Sequence, residues 1–191
     1  MNRTDQELDP VEFVRTSVSE DRWVHTQGVM DLGHQLASTY DLPEQPLRRA
    51  ALLHDNARGL PLEEQKSLAR RFRGELDRIE RSVPGLLHAP AGAQRMVDEL
   101  GFSPEDSLLD VVANHSTGAP HPGPTLSGLL VADFSEPNRE YPEAKTIRER
   151  IGIKPLVDLV HDTLRFKIKF LLDDSTPLHP RSVRAFNSLC E

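Results

Sequence analysis

Apolar residues in this chain recur every three or four positions and almost nowhere alternate with polar ones, a period that points to helices throughout. From Arg22 to about Tyr40, Val29, Leu32 and Leu36 keep helical spacing, with Ser19 as N-cap and Glu20 and Asp21 in the first turn, where acids favour the helix dipole. Pro43 and Pro46 bracket a short connection, and Leu47–Ala57 reads as a helix stopped near Gly59 and Pro61. Leu62–Arg81 is charged enough to be a solvated helix. After a Pro84–Gly85 turn, Pro90–Leu100 is helical, with Pro90 at its first position and Gly101 as its stop. Pro104–His115, Thr125–Phe134 and Lys154–Leu172 complete the set, parted by the loops GAPHPGP and EPNREYP. The expectation is an all-α bundle of six or seven helices in one domain over 1–191, with a functional core at about 20–140 and a C-terminal helix and tail over 150–191. The apolar final helix could also serve as a homodimer face.

Composition narrows the function classes. Thirty acids against 23 Lys and Arg give a net charge of −7, which argues against coating nucleic acid through a basic face. The lone cysteine, Cys190, excludes a disulfide framework and a thiolate zinc site. No apolar run approaches the roughly 18 residues that a membrane span needs. The opening MNRTDQELDPVEFVRTSVSE carries five acids and no apolar block, so it does not read as a signal peptide. A reducing, cytoplasmic setting is expected.

Against that background the histidines stand out. His25 precedes Val29, Leu32 and Leu36 by 4, 7 and 11 residues, so it shares their apolar face. His54 and Asp55 end the run AALLHD, and His88 lies at a helix start. His115 follows Leu108, Val111 and Val112 by 7, 4 and 3 residues; Asp133 follows Leu126, Leu129 and Leu130 by the same steps. A carboxylate on a buried face costs several kcal/mol unless it is paired or binds a metal. One histidine on an apolar face is more often a satisfied core residue than a ligand, and an HD pair alone is weak. The joint pattern on successive helices is hard to obtain without a metal. Imidazoles and carboxylates without thiolate suit Fe, Mn, Zn, Co or Ni. Four His and two Asp suffice for two ions roughly 3.5–4 Å apart sharing one carboxylate. His34 on a polar face and His161 without a second ligand read as structural, and His121 as at most a pocket-mouth residue.

The same residues resemble the HD-domain metal-dependent phosphohydrolases, and within them the bacterial YqeK-type symmetrical diadenosine tetraphosphate hydrolases. Arg22-Trp23-Val24-His25-Thr26-Gln27-Gly28-Val29 is similar to that family's R-aromatic-x-H-S/T-x-x-V, and Ala51–Asp55 to its HD helix. His88–Ala93 resembles its HG-x-x-GA segment, and Asn114–Gly118 its H-T-x-G turn. The block Val131–Arg139 looks like ADY-x-EP-x-R, and Leu178–Asn187 like the tail HP-x-T-x-x-A-x-N. The likeness runs from about residue 20 to 190.

The resemblance implies two divalent metal ions, usually iron. His25, His54, Asp55 and Asp133 would hold the first, and His88, His115 and the bridging Asp55 the second. It also implies cleavage of a small-molecule dinucleoside polyphosphate, diadenosine tetraphosphate, into two ADP by a metal-bridging hydroxide. Asp55 and Arg58 are then the catalytic candidates, and Arg58, Ser116, Thr117 and Arg139 the substrate-binding ones. Arg58 stands where the family has lysine, and Ala89 where it has glycine. The Met and Lys usual before the ADY block are absent, with Thr125 and Gly128 nearby instead, which is expected to alter the wall of the nucleotide pocket. A nucleoside-monophosphate or dNTP phosphatase with the same centre, or a non-catalytic nucleotide sensor, are the rival readings.

Overall fold

The computed structural model describes residues 8–190, so the expected domain span and the reading of the opening segment extend outside the described residues at 1–7 and 191. Eleven α-helices follow one another without a strand among the described residues: α1 (Pro10–Ser17), α2 (Glu20–Tyr40), α3 (Glu44–Leu53), α4 (Leu62–Arg73), α5 (Arg78–Ser82), α6 (His88–Leu100), α7 (Ser107–Asn114), α8 (Pro124–Ser135), α9 (Pro142–Arg150), α10 (Leu156–Asp173) and α11 (Pro180–Asn187). The all-α class is as expected. None of these helices is long and apolar enough to cross a membrane.

The core forms where α2 packs on α3 and α8, α8 on α10, and α6 on α4 and α7. Leu36, Leu47, Leu53, Met96, Leu109, Leu129, Leu130 and Leu164 are all buried in it. Each buried leucine stabilises the fold by about 1.5–3 kcal/mol relative to exposure. The last long helix divides its apolar residues: Leu159, Val160 and Leu164 face the core, whereas Val157, Phe170 and Leu172 face outward.

The additional helices are short, and their boundaries have local causes. α3 stops at Leu53, not Ala57, and residues 54–59 run as successive turns. There the His54 Nδ1–H donates to Ala51 O at 2.7 Å and the Asn56 side-chain amide donates to Leu53 O at 2.8 Å. Side chains that claim nearby carbonyls in this way compete with the helical ladder. The charged segment 62–81 breaks at Gly74, whose φ of 77° is left-handed, and restarts on a capping box between Asp77 and Glu80. α6 begins at His88, so Pro90 is its third residue, where a helix still has no use for the backbone N–H. α7 begins three residues after Pro104, because Asp106 caps it by accepting from Leu108 N at 2.9 Å.

Candidate metal centre

Four of the six predicted ligands sit at or just past helix ends or starts. His54 caps α3 and Asp55 follows it; His88 opens α6; His115 caps α7. His25 projects from the inner face of α2, and Asp133 from the last turns of α8. All are buried except the half-buried Asp133.

The structure brings all six together. Within the group His25, His54 and Asp133, and within the group Asp55, His88 and His115, candidate ligand atoms lie within 4.8 Å of one another. His25 Nε2 is 3.2 Å from Asp133 Oδ1 and 3.3 Å from His54 Nε2. His88 Nε2 is 3.1 Å from Asp55 Oδ1 and 3.1 Å from His115 Nε2. Asp55 spans the groups: its Oδ1 faces His88 and His115, while its Oδ2 lies 3.5 Å from His54 Nε2 and 3.9 Å from His25 Nε2.

The imidazoles are set up as ligands by what lies behind them. Nδ1 of His54, His88 and His115 each lies 2.7 Å from a backbone carbonyl, those of Ala51, Gly85 and Val112, and Nδ1 of His25 is 3.2 Å from Glu136 Oε1. Carbonyls and carboxylates only accept, so these contacts place a proton on Nδ1 and turn Nε2 toward the cluster. Where both rings are neutral, the two close Nε2–Nε2 approaches set lone pair against lone pair, which a shared proton or a cation between them relieves. A divalent cation fits this donor set.

Burial works against a charge on His54, but Asp55 and Asp133 outweigh it and raise this imidazole above its ordinary value. Burial, helped by His88 and His54, pushes the His115 imidazole down to about 4, so it is neutral at neutral pH. Burial works against the Asp55 carboxylate, but His54 and hydrogen bonds from the surrounding histidines outweigh it and hold Asp55 well below the ordinary carboxylate range. Asp133 is likewise held low, burial being overcome chiefly by its hydrogen bond with His25. Metal binds neutral imidazoles beside ionised carboxylates, so an ion here competes with a proton at His54.

The predicted substrate contacts are less uniform. Arg58 is exposed, with Nη1 2.9 Å from His88 Nδ1 and 3.2 Å from its Nε2. Ser116 Oγ lies 3.2 Å from Nε2 of both His88 and His115. Arg139 is 3.6 Å from Asp133 and borders a 400 Å³ cleft shared with Arg22, His25, Glu136 and Asn138. Thr117 is buried and its hydroxyl donates to Gly118 O at 3.1 Å, so it serves its own turn and not the cluster. The altered wall expected at Gly128 and Thr125 lies elsewhere. A Cβ on Gly128 would stand 2.7 Å from Leu47 Cδ2, so this glycine lets α8 close on α3. Thr125 borders a separate cavity with Gln45 and Arg49. His34 is exposed and bonded to Glu44, and His121 is exposed in its loop.

Two further residues at the centre, Arg22 and Glu136, belong to the sequence motifs but not to the candidate site residues. Arg22 donates to Asp55 Oδ2 at 2.9 Å, and the buried Glu136 supports His25. Each lies three positions from a predicted ligand, a spacing that returns a helical residue to the same side. Glu136 is itself held, accepting from Asn138 N at 2.7 Å and from its side-chain amide at 3.0 Å. Gly28 makes room for it, since a Cβ there would come 2.4 Å from Glu136 Oε2. Glu136→Gln is expected to weaken metal binding about 10–100-fold, read by competition with a chromophoric chelator; unchanged affinity would remove the carboxylate from this account.

A family model described as the HD domain matches residues 22–152. A curated symmetrical bis(5'-nucleosyl)-tetraphosphatase from Halalkalibacterium halodurans is 31% identical, covering 94% of this chain and 94% of its own. A protein of the same description from Bacillus subtilis is 31% identical over 92% of this chain and 93% of its own. The crystal structure of a predicted HD superfamily hydrolase involved in NAD metabolism, from Clostridium acetobutylicum, superposes with a TM-score of 0.87 at 27% identity, over 95% of each chain.

Proposed function

This chain belongs to the HD-domain family, within its symmetrical tetraphosphatase branch, and on that premise we propose that it cleaves diadenosine tetraphosphate into two ADP at a centre of two divalent metal ions. The observation that carries the reading is Asp55, which offers one carboxylate oxygen to each of two groups of ligands. His25, His54, Asp55 and Asp133 would hold one ion, and His88, His115 and Asp55 the other. Iron is the first candidate, with Mn, Co, Ni and Zn suited to the same nitrogen and oxygen donors. When bound, such ions lower the pKa of water and polarise phosphoryl oxygens.

The chain's own residues orient the reaction. Arg22 fixes the Oδ2 side of Asp55 and offsets its charge. The four anchored imidazoles cannot rotate without breaking an Nδ1 hydrogen bond, so the donor set is rigid before substrate arrives. Arg58 and Arg139 approach the cluster from its two ligand groups, and a guanidinium binds phosphate through paired N–H donors. Arg58 cannot act as a proton donor, since a guanidinium stays charged at ordinary pH; its part is to clamp the chain. Ser116 Oγ, close to two ring nitrogens, can donate to a phosphoryl oxygen there. Water adds to an inner phosphorus, the bridging oxygen on its far side departs with one ADP, and the second ADP retains the incoming oxygen.

A nucleotide panel followed by chromatography tests the reading. ADP is expected as the main product from diadenosine tetraphosphate. Faster release of orthophosphate from a nucleoside monophosphate, or of triphosphate from a dNTP, would move the assignment to another HD phosphatase. Tight nucleotide binding without turnover at any metal loading would favour a sensor.

A further inference from the structure

Beside the cluster, on the side of Ser116, lies a cavity of about 510 Å³ that nothing above employs. Its size falls within the range typical of small-molecule sites. Phe134, Tyr141, Phe166 and Phe170 border it, and Ser116 links it to the histidines. The rings of Phe134 and Phe166 are nearly parallel, 9° apart with centroids 6.2 Å apart. Tyr141 packs edge-on against Phe134 at 5.3 Å, and its hydroxyl donates to Phe134 O, which locks that ring pair. This chain has few aromatic residues, only 5% of the total, so four around one hollow are a concentration.

Lys167 and Lys169 border the cavity too, with Glu143 and Asp173. Lys167, on α10, has neither a hydrogen bond nor an ion pair among the described residues, although it is half-buried and feels the fields of Asp133, Asp55 and Arg139. Lysine is seldom withdrawn from water without a partner. The neighbouring Lys169, by contrast, is paired with Asp173. Aromatic faces that can stack a base, next to a free ammonium and opening onto a phosphohydrolase centre, match one ligand class: a nucleoside with its phosphate attached. The other cleft, bordered by Arg22 and Arg139, has no Phe, Tyr or Trp in its lining.

We propose that this aromatic cavity seats one nucleoside of the substrate, with Lys167 on the phosphate nearest to it, while the other half lies across the arginine cleft without a stacking partner. The proposal rests on the nucleotide reading above, but its test separates the two. Binding of ADP and of inorganic pyrophosphate to the metal-loaded protein is measured by calorimetry. Phe166→Ala and Phe170→Ala are expected to weaken ADP on the order of tenfold while leaving pyrophosphate within about twofold. Phe170 is 69% exposed, so its truncation leaves the fold intact and keeps the test decisive. Lys167→Met is expected to weaken both ligands, and Lys167→Arg to restore pyrophosphate. Unchanged ADP affinity in both aromatic variants, or in Lys167→Met, would overturn the assignment. If ADP binding responds as expected while diadenosine tetraphosphate is not cleaved, the nucleoside seat stands and the choice of substrate fails.

Discussion

Asp55→Ala is expected to empty both ligand groups of metal and to lower hydrolysis of diadenosine tetraphosphate on the order of 10³-fold or more. This carboxylate reaches both groups, with Oδ1 3.1 Å from His88 Nε2 and Oδ2 3.5 Å from His54 Nε2. Its removal also leaves four imidazoles with Asp133 as the remaining carboxylate among the clustered ligands, and leaves Arg22 without its partner at 2.9 Å. Arg22 keeps 27% of its side-chain surface exposed and can turn to solvent, so the cost falls on the metal sites more than on the fold. Asp55→Asn separates shape from charge: it keeps the volume, loses the anion and is expected to lose metal as the alanine variant does. Metal per chain, measured by mass spectrometry beside the turnover assay, reads both changes. Full metal content with full activity in either variant would sink the whole centre.

Chelation of the wild-type protein is expected to abolish turnover and to lower the melting temperature, with both restored by a divalent cation. An ion at a thousand times its Kd stabilises a folded site by about 4 kcal/mol. For a chain of this size that corresponds to roughly 10 °C in Tm. The direction follows from the crowding described above. Nε2 atoms 3.1 and 3.3 Å apart, each with its Nδ1 proton committed elsewhere, repel when nothing lies between them. A melting temperature indifferent to chelation would mean that the folded chain gains nothing from an ion. The cluster would then be a packed polar core and not a metal centre.

The centre was more legible than the helices around it. A ligand declares itself by a conflict, a polar group at an apolar register, and that conflict survives errors in where a helix ends. His115 keeps its relation to Leu108 and Val112 whether α7 begins at Pro104 or at Ser107. The helix ends were set by side chains competing for carbonyls at His54 and Asn56, and by the left-handed backbone at Gly74, neither of which alters hydrophobic period. The short helices α1, α9 and α11 each carry too few turns for periodicity to register, yet each opens on a proline, at Pro10, Pro142 and Pro180. That residue is well suited to a first helical position, and it was the available signal. Gly128 was misplaced for a different reason: spacing says which residues share a face, but not which neighbour that face will meet.

The wide separation in sequence of the residues around His25 bears on how such a centre would come to hold its ion. His25 and the carboxylate that braces it are 111 residues apart, and α2 must meet α8 before they touch. Contacts between distant segments form late in folding, because closing a long loop costs entropy before it returns any energy. An ion would therefore meet this cage nearly finished, and not a chain still free to wrap around whichever metal binds imidazole most strongly. Selection would fall to the shape of the closed cage and to which ions the cell supplies at that moment, in place of the bare affinity order.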